Sequence, residues 1–189
     1  MLNQFQIHFQ NSFPSTKGKR ILLAVSGGID SMVLLDLFQK SAIEMAVLHC
    51  NFQLRGEESD EDEQFLATYC NSQSIDFYVK KMDTQKYADA HQLSIQLAAR
   101  QLRYEWFYEQ LTSLNYDYIA TAHHLDDSLE TFLINLSRGT GLDGLLGIPA
   151  INNKVIRPLL PFSREQIEQY ALKNGIQWRE DASNKTTKY

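Results

Sequence analysis

Apolar residues recur along the chain in two alternating rhythms. Leu2, Phe5, Phe9 and Phe13 stand at helical spacing before Pro14 and predict a short amphipathic helix. Residues 21–25 are a continuous apolar run, the pattern of a strand covered on both faces. Residues 31–40, with apolar positions at 33, 34, 37 and 38, read as a helix, and 45–49 as a second buried strand, which completes a βαβ unit. The rhythm continues with a helix over 57–71, acidic in its first turns as the helix dipole favours, and a strand over 75–79. A long helix over 94–114 carries Ile95, Ala99, Leu102 and Trp106 on one stripe. A strand over 116–122, a helix over 125–138, a strand over 155–160 and a helix over 163–174 follow. Ser163 with Gln166 forms a capping box at the start of that last helix, and Gly175 is placed to end it in a left-handed conformation. Strands that alternate with helices predict the α/β class: a doubly wound parallel sheet with helices on both faces and a ligand site at the carboxyl ends of the strands. Between residues 139 and 151, four glycines and Pro149 predict either a lid or a closely packed series of turns.

Composition narrows the class without naming a function. The 189 residues fit one domain of ordinary size, and 43% hydrophobic with 22% charged residues disfavours disordered, collagen-like and membrane classes. No apolar run approaches the length of a membrane span and the first residues are polar, so a cytoplasmic protein is expected. Cys50 and Cys70 lack Cys or His neighbours at zinc spacing and read as buried thiols. A net charge of −5 argues against a uniformly basic surface and leaves room for a local basic groove.

Four segments carry chemistry. Ser26-Gly27-Gly28-Ile29-Asp30-Ser31 lies between a buried strand and a helix, where backbone N–H groups and the helix dipole hold phosphate. It is neither the Walker pattern nor the dinucleotide fingerprint, and in isolation it also reads as a capped Gly-Gly turn. The run from His123 to Thr131 places His123, His124, Asp126 and Asp127 at a helix start, with Glu130 one turn on; Leu125, Leu129, Phe132, Leu133 and Leu136 share an apolar face. The same acids also suit plain helix capping. Arg100 and Arg103, three apart on the long helix, suit phosphate as a pair, and equally suit a solvated face. His49 to Gly56, after the second strand, puts polar groups where adenine and ribose lie in a doubly wound sheet.

The Ser-Gly-Gly-x-Asp-Ser loop resembles that of the N-type ATP pyrophosphatases, or PP-loop enzymes. In order, Ser26 to Ser31, His49 to Gly56, Ala99 to Tyr104, His123 to Thr131, Arg138 to Leu145, Arg157 to Leu159 and Glu180 to Asn184 together resemble the tRNA(Ile)-lysidine synthetases. The resemblance implies an adenine nucleotide α-hydrolase-like fold, with residues 1–189 as a single N-terminal catalytic domain and the C-terminal tRNA-holding domains beyond this sequence. It implies a ligase of tRNA modification that uses ATP and Mg²⁺. ATP adenylates the position-2 carbonyl oxygen of the wobble cytidine in tRNA(Ile) with a CAU anticodon; free L-lysine then displaces AMP. On this reading Ser26, Gly27, Gly28, Ile29, Asp30, Ser31, His49 and Asn51 bind the nucleotide, and Asp30 holds the metal. Arg100, Arg103, His123, Asp127 and Glu130 act with Asp30 in catalysis, and the Asp127–Glu130 pair receives the lysine ammonium. A homodimer is one open assembly. Phe52 and Gln53 depart from the family, many members of which have His-Gly there. A tRNA thiolase is the nearest alternative but needs cysteines that are not paired here; an amide-forming ligase and a bare nucleotide-binding module are the others.

Overall fold

The computed structural model describes residues 1–139, 141 and 147–180. Its elements run α1 (Leu2–Ser12), β1 (Ile21–Ala24), α2 (Ile29–Lys40), β2 (Met45–Asn51), α3 (Glu57–Ser72), β3 (Phe77–Lys81), α4 (Thr84–His91), α5 (Ile95–Ser113), β4 (Tyr118–Ala120), α6 (Leu125–Ser137), β5 (Ile151–Asn152), β6 (Val155–Ile156) and α7 (Arg164–Asn174). The six strands form one sheet in the order β3-β2-β1-β4-β6-β5. All neighbours pair in parallel except the edge strand β5, which runs antiparallel to β6. The chain adds strands outward from β1 on one side and then returns to β1's other side with β4. This places the reversal of strand order between the carboxyl ends of β1 and β4, where doubly wound sheets open a crevice.

Alternation along the strands divides the core between the two faces of the sheet. Ile21, Leu23, Val47, Ala120 and Ile156 face one layer with α1, α2, α3 and α7, where the rings of Phe5, Phe9 and Phe38 pack together. Leu22, Ala46, Leu48, Ile119 and Val155 face the other, against Trp106, Phe107 and Leu111 of α5. Burial of each such large side chain contributes about 1.5–3 kcal/mol.

Several boundaries differ from the sequence pattern for identifiable reasons. The third strand starts at Phe77 and not at 75, because the Ile75 amide closes the end of α3 by donating to the Cys70 carbonyl (2.9 Å). Tyr116 does the same for α5, donating to Leu111 (3.0 Å), so β4 begins at Tyr118. The last parallel strand is two residues long: Pro158 has no N–H to continue a ladder, and the Leu160 amide folds back to Arg157. Helix α4 escapes pattern reading because only Thr84 and Ala88 are buried, too few to make a stripe. Its one legible signal is Asp83, which caps it by accepting from the Lys86 amide at 3.0 Å. The capping box and the left-handed Gly175 of α7 are as expected.

Among the described residues, nothing buries the apolar face of helix α6. None of its residues is buried, and Leu125, Leu129, Leu133 and Leu136 are each about half exposed. Cys70 is buried as expected, whereas Cys50 is only partly so. Of the segment 139–151, residues 140 and 142–146 lie outside the described residues, as do 181–184 of the Glu180–Asn184 motif.

Candidate active site

A cavity of about 320 Å³ opens where the strand order reverses, the size of a small-ligand site. Its floor is the end of β1 (Ala24, Val25, Ser26) beside Thr121, Ala122 and His123 after β4. Asp30 and Ser31 of α2, His49 and Cys50 of β2, Phe52, Arg103 and Tyr104 of α5, and Asp127 of α6 line the remainder.

The loop from Ser26 to Ser31 is shaped by short hydrogen bonds. Ser31 Oγ donates to the Gly28 carbonyl at 2.8 Å and accepts from the Ser26 amide at 3.2 Å. Gly27 has φ +94°, a conformation other residues rarely adopt. Its carbonyl accepts from the Arg179 amide at 2.9 Å, so the segment after α7 is fastened to the loop. Arg179 also bridges Glu61 and the buried Asp62 of α3, and Arg55 meets Asp62 from the other side at 2.8 Å. Gly28 is the N-cap of α2, which leaves the first amides of that helix for an anion. Ile29 is buried, so that only its backbone is available to a ligand.

Asp30 stands at the centre of a charged cluster. Arg164 Nη1 donates to one of its carboxylate oxygens, while the other, Oδ1, is buried without a hydrogen-bond partner and lies 3.7 Å from His124 Nε2. His124 also lies 3.6 Å from Asp126 and 3.6 Å from Asp127, and its amide donates to Asp127 Oδ2 at 2.8 Å. Among the described residues no group of three His, Cys, Asp or Glu side chains is arranged to hold a metal alone. Mg²⁺ needs no such cage, since it keeps waters and shares one or two carboxylates with substrate phosphates. The orphaned oxygen of Asp30 fits that role.

The two histidines separate. His123 lines the cavity, its Nδ1 lies 2.9 Å from Thr121 Oγ1, and burial, reinforced by the nearby Arg157, pushes its pKa down to about 4. It is therefore a neutral imidazole at pH 7, suited to hydrogen bonding with phosphate or to accepting a proton. His49 is likewise held below its usual value by burial, and Nδ1 donates to the Val25 carbonyl at 2.9 Å, which leaves Nε2 as an acceptor.

A protein-family model described as a PP-loop domain matches residues 1–189. The chain belongs to the PP-loop family. Within it, this PP-loop domain is 46% identical over 176 residues to the tRNA(Ile)-lysidine synthase of Chlorobaculum tepidum, which covers 91% of this chain and 53% of that protein. It is 44% identical over 170 residues to the namesake of Porphyromonas gingivalis W83, covering 89% and 37%. The Parabacteroides distasonis namesake is 39% identical over 189 residues, covering all of this chain and 43% of that one. The chain thus spans roughly half the length of such relatives or less. Among solved structures, the U34-tRNA thiolase NcsA of Methanococcus maripaludis superposes with a TM-score of 0.77 at 15% identity, over 94% of this chain and 65% of that one. That likeness is one of fold.

The PP-loop domain brings together most of the residues singled out from the sequence, but not all. Ser26, Asp30, Ser31, His49, Arg103, His123 and Asp127 meet at the cavity. Asn51 does not: it is buried, and Nδ2 donates to Asp60 and Glu63 while Oδ1 accepts from the Gln53 amide, so it builds the turn after β2. Arg100 is exposed, its guanidinium lies over the Tyr104 ring, and it is not in the cavity lining with Arg103. Glu130 is exposed on α6 and does not line the cavity. Arg164 was not anticipated, because a residue at the start of a helix 134 positions from Asp30 carries no local signal.

Proposed function

We propose that this PP-loop domain adenylates the wobble cytidine of tRNA(Ile) with a CAU anticodon and joins free L-lysine to its position-2 carbon, with release of pyrophosphate and AMP. The observation that carries the reading is the convergence of a phosphate loop, an unsatisfied Asp30 oxygen, Arg103, His123 and Asp127 on one cavity at the sheet's reversal point. The identity to tRNA(Ile)-lysidine synthases over most of this chain supports the choice of substrate.

In this reading the amides at the start of α2 and the hydroxyl of Ser26 hold the phosphates that leave as pyrophosphate, while Ser31, whose hydroxyl is taken up by the Gly28 carbonyl, shapes the loop that presents them. Asp30 holds Mg²⁺, which when bound neutralises phosphate charge as it builds toward the transition state. Arg103 has no carboxylate partner among the described residues and stabilises the same charge from the opposite wall. His123, neutral, contacts phosphate or takes the proton that the lysine ammonium must lose before it attacks. Asp127, with Glu130 nearby on the rim, attracts that ammonium. Exposed Arg100 and Arg138 meet the tRNA backbone; Arg55 is engaged internally by Asp62 and is not counted with them.

No helix among the described residues is long and apolar enough to cross a membrane, and a cytoplasmic location belongs to the proposal. So does a homodimer, for which the half-exposed leucines of α6 offer a contiguous apolar contact. Leu129→Glu is expected to abolish self-association in sedimentation experiments.

The deciding experiment incubates the protein with ATP, labelled lysine and tRNA(Ile) bearing CAU, followed by nucleoside analysis. Lysidine formation dependent on all three is the expected result. ATP binding with no change in the nucleoside, under conditions where a known lysidine synthase modifies the same tRNA, would sink the proposal.

A further inference from the structure

Phe52 is an aromatic residue on the turn after β2, and it lies in the cavity wall beside Arg103. The Arg103 guanidinium carbon sits 5.2 Å from the centre of its ring, within cation–π range. The turn that carries Phe52 is held unusually firmly. Asn51, almost fully buried, is tied to α3 through Asp60 and Glu63 and accepts from the Gln53 amide at 3.1 Å. Thr84, also buried, donates to the Phe52 carbonyl at 2.9 Å. Gln53 takes a left-handed φ of +54° to complete the turn.

A rigid turn thus presents a ring to a guanidinium that has no carboxylate partner among the described residues and faces the anion-binding cavity. An arginine side chain has several rotatable bonds, and fixing it only when ATP arrives costs affinity; fixing it beforehand removes that cost. An acidic partner would fix it too, but would cancel the charge that phosphate needs. An aromatic face orients the cation and leaves the charge available.

We infer that Phe52 is a positioning residue: it preorganises Arg103 toward the phosphates of the nucleotide by holding the guanidinium against its ring. This deepens the ATP-dependent reading above and rests on it.

The test is ATP binding measured by calorimetry on the wild-type chain, Phe52→Leu, Phe52→Tyr, Phe52→Trp, Arg103→Ala and the double variant Phe52→Leu/Arg103→Ala, with thermal midpoints alongside. Phe52→Leu is expected to weaken ATP binding about tenfold with little change in midpoint, whereas Tyr and Trp keep it within about threefold. The double variant should bind no more weakly than Arg103→Ala alone, since the ring acts only through Arg103. Undiminished binding in Phe52→Leu, or additive losses in the double variant, would overturn the inference and leave the ATP reading standing. A fall in midpoint with no rescue by Tyr or Trp would reassign Phe52 to packing and also overturn it. A wild-type chain that binds no ATP would sink the underlying reading together with this one.

Discussion

Arg164 on α7 and Asp30 on α2 form an ion pair across 134 positions of sequence. The Arg164 amide also donates to Asp126 Oδ2 at 2.8 Å, so the start of α7 joins the starts of α2 and α6 at the phosphate end of the sheet. Both partners are partly exposed, so the pair adds little to stability, on the order of 1 kcal/mol or less. Its weight is electrostatic: a fixed cation already occupies one side of the carboxylate proposed to hold Mg²⁺.

Removal of that cation should therefore favour a divalent ion. Arg164→Ala is expected to bind Mn²⁺ several-fold more tightly than wild type in the absence of nucleotide, as followed by the loss of the free-ion EPR signal. Unchanged or weaker Mn²⁺ binding would mean that Arg164 orients Asp30 more than it competes for it.

Stability should fall on acidification in a window set by His123. Burial lowers its folded pKa to about 4, against the ordinary 6.5 of histidine, so between these values the unfolded chain binds the extra proton. The contribution is fully present above about pH 6.5 and is lost as pH falls through 4, with an upper bound of about 3 kcal/mol. His49 shifts in the same direction. Urea midpoints measured from about pH 7.5 to 4 should fall more steeply for wild type than for His123→Gln; parallel curves would show that His123 is not held neutral.

Glu130 and the nucleotide site should separate kinetically. Glu130 is exposed on α6 and apart from the cavity lining, so Glu130→Gln should leave ATP-dependent adenylation intact and raise the lysine requirement by up to roughly tenfold. Failure of adenylation with unchanged lysine dependence would move α6 into the metal and phosphate site.

Gln53 carries a conformational penalty at φ +54°, a backbone conformation that glycine adopts without cost. Gln53→Gly should be neutral or stabilising by up to about 1 kcal/mol, and the β-branched Gln53→Val destabilising by about 1–2 kcal/mol. The denaturant midpoint of Gln53→Gly should lie at or above that of wild type, and that of Gln53→Val below it; a glycine variant below wild type would overturn this.

What the sequence made legible was local. The apolar run at residues 21–25, the Gly-Gly turn after it and the helix behind it fix the phosphate loop by spacing alone, and the structure follows them closely. The capping box at Ser163 is just as local. What escaped depends on distant partners. Nothing near Asn51 in sequence says that its amide is consumed by Asp60 and Glu63, or that of two arginines on one helix Arg103 lines the cavity while Arg100 lies over the Tyr104 ring. Asp30's engagement by Arg164 exists only once α7 has packed on α2. The leucines of α6 mislead in another way: periodicity identifies an apolar face without saying whether anything in the chain covers it.

The hydrogen bond from the Arg179 amide to the Gly27 carbonyl bears on where this domain can be cut. Among the described residues the last element is α7, which ends at Asn174, and a boundary drawn there looks harmless. Such a cut would remove the strap from the loop's left-handed glycine and strip the buried Asp62 of one of its two cations. Trimmed at 174, the fold would lose the backing of the Gly27 turn together with the Gly175 cap of α7 and the core contacts of Ile176 and Trp178. The short stretch beyond the last helix thus joins the Gly27 turn to the acidic start of α3, and tension applied to it is shared between the two.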